Sequence, residues 1–150
     1  MAILKLSKTD LIQIVRQNKP ALLITTSNML KRNIQLGNLL GIGKNGCQID
    51  VYDQVREYPS LEAVRSFYAT IASNKYQIIY AMGGGSVIDF AKAIKASLEI
   101  GCFCESEILN VDALSKVTNV SLVSIPTIAG SGAEVTPFAA LWDLSNHKKL

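Results

Sequence analysis

The sequence predicts an α/β fold, a parallel β-sheet with helices on both faces. Three observations predict it. Pro20-Ala21-Leu22-Leu23-Ile24-Thr25 and Gln77 to Met82 are short apolar runs, the pattern of strands covered on both sides. Between such runs lie segments whose apolar residues recur at helical spacing, and alternating strands and helices join by right-handed crossovers into a parallel sheet. Finally, Gly83-Gly84-Gly85 joins a strand pattern directly to a helix pattern, at the carboxyl edge where open parallel sheets hold their ligands.

In chain order, Ser7 with Asp10 precedes Leu11, Ile12, Ile14 and Val15, which reads as a capped amphipathic helix. After the strand at Pro20 to Thr25, residues Met29, Leu30, Ile34, Leu36, Leu39 and Leu40 keep helical spacing and end in Gly41 and Gly43. Gln48 to Tyr52 reads as a strand, Ser60 to Ser73 as a helix, Gln77 to Met82 as a strand and Ser86 to Glu99 as a helix. The pattern loosens through Asn110-Val111-Asp112, and Val120 to Ile125 supplies another buried strand. Phe138 to Trp142 and the residues after His147 suit a hairpin around Asp143-Leu144-Ser145-Asn146.

A chain of 150 residues that is 49% hydrophobic and 18% charged can bury a core as one globular domain. Its formal net charge is only +3, and apart from Lys31-Arg32 and Lys148-Lys149 its basic residues are scattered, unlike a nucleic-acid footprint. Cys102-Phe103-Cys104 has neither zinc-knuckle nor redox CxxC spacing, so these two and Cys47 read as buried or idle thiols. Met1 to Lys5 is too short an apolar run for a signal peptide, and no stretch approaches the roughly 20 apolar residues of a membrane span. The expectation is a cytoplasmic protein without membrane or nucleic-acid partners.

The Gly83 loop lacks the Lys-Ser/Thr pair of a P-loop and the G-x-G-x-x-G spacing. Glycine permits φ > 0 and close ligand approach, and the amides of Gly85 and Ser86, with the Ser86 hydroxyl, suit a pyrophosphate at the helix start. A ligand-free turn explains the same residues. Asp89 falls in the first helical turn, where it either supports the cap or orients a nicotinamide or substrate, and Lys92 reads as a solvated or snorkelling lysine. In the stretch from Ser124 to Thr136 the hydroxyls of Thr127, Ser131 and Thr136 alternate with small residues, suiting either ligand contact or a polar turn.

Together, Gly83-Gly84-Gly85-Ser86, Asp89, Ala91-Lys92 and Pro126-Thr127-Ile128-Ala129-Gly130-Ser131-Gly132-Ala133-Glu134-Val135-Thr136 closely resemble the iron-containing (group III) alcohol dehydrogenases. Those carry GGGS, then D and AK, and later PT-T-AGTGSEVT. The resemblance covers nearly all of the chain in outline. It implies a Rossmann-like NAD(P)-binding domain, of the kind that opens dehydroquinate synthase, followed by an all-helical domain holding Fe²⁺ or Zn²⁺. Carried over, Gly85 and Ser86 bind the pyrophosphate with Gly84 shaping the loop, Thr127, Ile128, Ala129, Gly130 and Ser131 line the adenine and ribose side, and Asp89 belongs to the cofactor site. Ala140 and Lys149 match positions near the ribose or nicotinamide.

The chain departs from that pattern in three places. Thr26 stands where the family often has a ribose-binding Asp; a threonine does not repel a 2′-phosphate, so the expectation is that NADPH is accepted beside NADH and even preferred, with Lys31 or Arg32 as charge partners. Tyr58-Pro59-Ser60 replaces Asn-Pro-Thr, putting a ring where an amide would touch the cofactor, and Ile128 replaces a threonine. The family's metal needs an Asp and three His, and His147 is the single histidine, expected at a hairpin surface. The resemblance therefore implies residues 1–150 as the cofactor half of an alcohol/aldehyde or ketone oxidoreductase, excised or truncated and inactive by itself, with homodimerisation open. A glycerol dehydrogenase- or dehydroquinate synthase-like domain, or a non-catalytic nucleotide-binding module, are the alternatives.

Overall fold

The computed structural model describes residues 20–32, 49–108, 119–128 and 130–150. Strands β1 (Ala21–Ile24), β2 (Ile49–Tyr52), β3 (Ile78–Gly83) and β4 (Ser121–Pro126) pair in parallel in the order β2-β1-β3-β4. Helices α1 (Ser27–Arg32), α2 (Leu61–Ile71), α3 (Gly85–Ile100) and the short α4 (Glu105–Ile108) lie between them. An antiparallel hairpin of β5 (Trp142–Asp143) and β6 (Lys148–Lys149) follows. The expected Rossmann-like parallel sheet is the observed one. The first expected helix, most of the second, Cys47 and the loosened stretch after Leu109 fall outside the described residues.

The continuous apolar runs have a direct cause in the core. On β1, Leu22 and Ile24 join one cluster, while Ala21 and Leu23 join another on the opposite face. On β3 the same alternation puts Ile79 and Ala81 on one side and Ile78, Tyr80 and Met82 on the other. A strand buried on both faces has no polar positions to alternate with, which is why its text is apolar throughout. β4 departs from the expected buried strand: it is half-buried, because it forms an outer edge of the described sheet.

Helix α2 starts where Ser60 accepts a hydrogen bond from the Ala63 amide at 3.1 Å, and its Leu61, Val64, Tyr68 and Ile71 face inward at helical spacing. Helix α3 is buried over more of its circumference, through Val87, Ile88, Phe90, Ala91, Ala93 and Ile94. Burying side chains such as Ile88, Phe90 and Ile94 contributes about 1.5–3 kcal/mol each. Phe90 and Phe67 stack with Tyr52, whose ring lies 3.8 Å from that of Phe67, tying α2 and α3 to the end of β2. Gly101 ends α3 in the left-handed region at φ 79°, donating its amide to the Ser97 carbonyl. At that end Glu99, held by Lys95, accepts the amides of Asn119 and Val120 and so anchors the entry to β4. Helix α4 was not expected; it has four residues, too few to show a period.

Next to β3, Tyr76 is buried and donates to the Asp50 carboxylate at 2.5 Å. Burial, and then that acceptor, push its pKa up to about 12 from 10.0. The folded state therefore holds the phenol proton more tightly than the unfolded chain. Its stabilising contribution is complete below pH 10.0 and is lost as pH rises towards about 12. Tyr76→Phe is expected to cost about 1 kcal/mol at neutral pH and to flatten the loss of stability in that alkaline interval, as read by urea melts across pH. No helix among the described residues is long and apolar enough to cross a membrane.

Candidate functional site

The sheet order reverses direction at β1: the chain goes outward to β2 and then crosses to β3 on the other side. The crevice beyond the carboxyl ends of β1 and β3 is thus a topological switch point, the place where open α/β sheets bind ligands. Thr25, wholly buried, fixes this edge by donating its hydroxyl to the Met82 carbonyl at 2.7 Å. The glycine loop leaves β3 immediately afterwards.

These glycines act by lacking a Cβ, and not through the positive φ that glycine permits. Gly84 caps α3 at φ −82°, and the first glycine loop holds no residue in the left-handed region. A Cβ on Gly83 would lie 2.5 Å from Val87 Cγ2, one on Gly84 would lie 3.3 Å from Ile128, and one on Gly85 would lie 3.3 Å from the Ser131 Cβ. The second loop is the one that needs left-handed backbone, at Gly130 (φ 100°) and Gly132 (φ 64°). Thr127 donates its amide to the Gly83 carbonyl at 3.0 Å, continuing the β3–β4 pairing into the loops. Gly84, Gly85, Thr127, Ile128 and Ser131 are thereby brought together, with Gly130 in the same loop; Ala129 lies outside the described residues.

At the start of α3, Val87 and Ile88 donate to the Gly84 carbonyl, and no partner for the amides of Gly85 and Ser86 is found among the described residues. Two forward-pointing amides, the half-exposed Ser86 hydroxyl and the positive end of a 16-residue helix form an anion cradle. Unpartnered amides at a helix start attract an anion such as a phosphate, and the missing Cβ atoms of Gly84 and Gly85 let Ile128 and Ser131 stand beside them.

Asp89 and Lys92 differ from expectation. α3 starts at Gly85, so Asp89 is past the first turn and its carboxylate pairs with Lys92 Nζ at 3.4 Å instead of capping. Lys92 is 8% exposed, not solvated. Its ammonium donates to the Phe138 carbonyl at 2.5 Å and to Thr136 Oγ1 at 3.4 Å, so it clamps the far limb of the second loop onto α3. Burial lowers the Lys92 pKa, opposed by the negative charges of Asp89 and Glu134.

On the other side of the crevice, Thr26 is half-buried at the end of β1 and bridges Gln54. Its Oγ1 accepts the Met29 amide at 3.3 Å, a capping role at the entry to α1. Beside it, Ser27 donates to Asp53, the residue directly after β2, at 3.1 Å. Asp53 was not expected as a site residue; the available signal was an acidic residue following a strand.

A family model described as iron-containing alcohol dehydrogenase matches residues 7–150. This chain belongs to the iron-containing alcohol dehydrogenase family. It is 34% identical to the phosphonoacetaldehyde reductase of Streptomyces viridochromogenes over 94 residues, 59% of this chain and 24% of that protein. The iron-containing alcohol dehydrogenase of Thermotoga maritima superposes with a TM-score of 0.77 at 27% identity, over 95% of this chain and 40% of that one. Sulfoacetaldehyde reductase from Bifidobacterium kashiwanohense, solved in complex with NAD⁺, shares the fold with a TM-score of 0.69 at 22% identity, over 93% of this chain and 37% of that one. The chain thus spans about a quarter of the first relative and about two fifths of the other two.

Of the residues that the resemblance assigns to the cofactor, three gather at the hairpin instead of at the glycine loops. Tyr58, at φ 56° and mostly exposed, sets its ring edge-on to Trp142 at 5.5 Å. Lys149 pairs across the hairpin with Trp142, and Ala140 is half-buried just before it. The hairpin forms where expected, with shorter strands, and Asp143 holds the turn by accepting from Asn146. His147 is exposed on that turn. Cys102 is an exposed free thiol and Cys104 a partly exposed one, idle rather than buried. Among the described residues no group of three or more His, Cys, Asp or Glu side chains is placed to hold a metal ion, so these residues do not fit the family's iron by themselves.

Proposed function

We propose that residues 1–150 are the NAD(P)-binding domain of a family oxidoreductase that passes a hydride between the dinucleotide and a small alcohol, aldehyde or ketone. The observation that carries this reading is the convergence of two glycine-bearing loops on the start of α3, where a Cβ on Gly85 would lie 3.3 Å from Ser131. The glycines let the second loop pack closely against the start of α3, beside the Gly85 and Ser86 amides that have no partner among the described residues, and such amides at a helix start suit a pyrophosphate. The bound nicotinamide supplies the hydride chemistry. The chain's residues bind and orient it: the Gly85 and Ser86 amides and the Ser86 hydroxyl hold the pyrophosphate, and Thr127, Ile128, Gly130 and Ser131 form the wall above. Ala129 is assigned to the cofactor by the resemblance alone. Tyr58, Ala140 and Lys149 offer a second contact area at the hairpin, and Asp89 acts through Lys92.

Family membership and the NAD⁺ complex of sulfoacetaldehyde reductase support the dinucleotide. The family's divalent metal is proposed to be held by sequence other than these residues, since the chain has one histidine, exposed on a turn. Alcohol oxidation is then expected only where that further part is present. Titration with NADH, followed by nicotinamide fluorescence and calorimetry, is expected to give saturable one-to-one binding with Kd between about 1 μM and about 1 mM. Absence of any heat or fluorescence change at millimolar cofactor sinks the reading.

A further inference from the structure

Gly101 turns the chain out of α3 at φ 79°, and Cys102-Phe103-Cys104 lead from there to α4. A 16-residue helix rises about 24 Å, so this connection lies at the far end of α3 from the glycine loops. Phe103 is its fixed point. The ring packs against the main core, and the Arg65 guanidinium, itself paired with Glu105 at 2.6 Å, lies 5.0 Å from the ring centroid. The thiols on either side are accessible: Cys102 is exposed and Cys104 partly so, its sulfur 3.2 Å from the Ser106 hydroxyl. Cys102 and Phe103 make no backbone hydrogen bond among the described residues, so the backbone around the anchored ring can adjust.

Cα atoms two residues apart lie about 5–7 Å from each other, and a disulfide spans about 4.4–6.8 Å, so the two thiols stand within bridging range with Phe103 left in place. We propose that Cys102 and Cys104, idle while reduced, are a redox-active dithiol that closes into a reversible disulfide on meeting a small-molecule disulfide. Cys102, the more exposed, attacks as its thiolate. Its sulfur bonds to one sulfur of the oxidant, whose S–S bond breaks and releases one thiolate. Cys104, steadied by Ser106, then gives its proton to solvent and attacks the Cys102 sulfur of the mixed disulfide, releasing the second small thiolate. Two electrons have passed to the oxidant, which leaves as two thiols, and the chain keeps the Cys102–Cys104 bond. Linking residues so near in sequence removes little entropy from the unfolded chain, and exposed disulfides are readily reduced, so the bond suits a reversible modification and not a structural staple. The inference does not depend on the dinucleotide reading above.

Incubation of the folded chain with glutathione disulfide, followed by alkylation, trypsin and mass spectrometry, tests it. The peptide from Ala96 to Lys116, which holds both thiols, is expected to lose two hydrogens and to carry no glutathione, and dithiothreitol should restore both thiols. Cys47 falls in a different peptide and reports on a thiol without a near neighbour in sequence. Cys104→Ser is expected to stop at the mixed disulfide, with one glutathione kept on Cys102. Cys102→Ser should react about tenfold more slowly, through the less exposed thiol. Glutathione that persists on the wild-type peptide, a bond to Cys47 or to a second chain in place of the internal one, a peptide that stays reduced, or equal rates in Cys102→Ser overturns the proposal. Should either variant fail to fold, the mass of the wild-type peptide decides.

Discussion

Gly85→Val is expected to abolish dinucleotide binding while leaving the fold intact. Gly85 is the first residue of α3 and its backbone is ordinary helix, so a larger residue is not strained there by its φ. The obstacle is space. The added Cβ would stand 3.3 Å from the Ser131 Cβ, 3.6 Å from its hydroxyl and 3.8 Å from the Ala133 Cβ, and valine's two further methyls must push into the loop or into the anion cradle. Either outcome separates the pyrophosphate from the Gly85 and Ser86 amides. Kd for NADH should rise by about 100-fold or more, equivalent to about 2.7 kcal/mol, with a smaller rise for Gly85→Ala. Ser131→Gly removes the nearest obstruction and should restore part of the binding lost in Gly85→Ala, a coupling that a double-mutant cycle measures directly. Unchanged affinity in Gly85→Val, with a circular dichroism melt like the wild type, would mean that no ligand approaches this loop.

Lys92→Met should lower stability by about 3 kcal/mol, because the thioether fills the space of the stem but leaves the Phe138 carbonyl, Thr136 Oγ1 and the Asp89 carboxylate without their cation. That corresponds to a fall in Tm on the order of 10 °C for a domain of this size. The loss also has a pH signature. Burial holds the Lys92 pKa below its ordinary 10.5, so between the folded value and 10.5 the unfolded chain keeps a proton that the folded chain has released. Wild-type stability therefore gains with rising pH through that interval, a term that Lys92→Met lacks. The gap between the two proteins in urea melts is expected to widen on the alkaline side, whereas a gap that closes there would mean that the ammonium, and not the buried amine, is the favoured form. Since the same lysine clamps the loop that carries Ser131, NADH affinity should fall in the variant even under conditions where both proteins are fully folded.

Much of the architecture was legible because burial on two faces writes itself into composition. β1 and β3 are apolar without interruption, and their alternate residues enter opposite cores. The period of α2 and its Ser60 cap are local, as is the Asp143–Asn146 turn of the hairpin. The edge status of β4 was not legible, since a strand's rank in a sheet depends on what pairs with it. For the site, the two loops could be placed at one sheet edge from their positions after strands, but the reason for the glycines could not. Gly83, Gly84 and Gly85 are small because Val87, Ile128 and Ser131 stand opposite, and two of those three come from a loop more than forty residues away.

The sequence by itself determined the alternation of strands and helices, the parallel sheet and the anion-binding character of the strand–glycine–helix turn, because each follows from the period of apolar residues and from backbone chemistry within a few neighbours. Tertiary structure alone decided which groups share an environment. It turned Lys92 from a surface lysine into a buried clamp, by bringing Phe138 and Thr136 across 46 and 44 residues. It likewise moved Asp89 from a capping role to an ion pair and set Asp53 beside Ser27. The physical reason is the same in each case: hydrophobic period is a local property of the chain, whereas desolvation and charge pairing depend on atoms that only folding brings within a few ångströms.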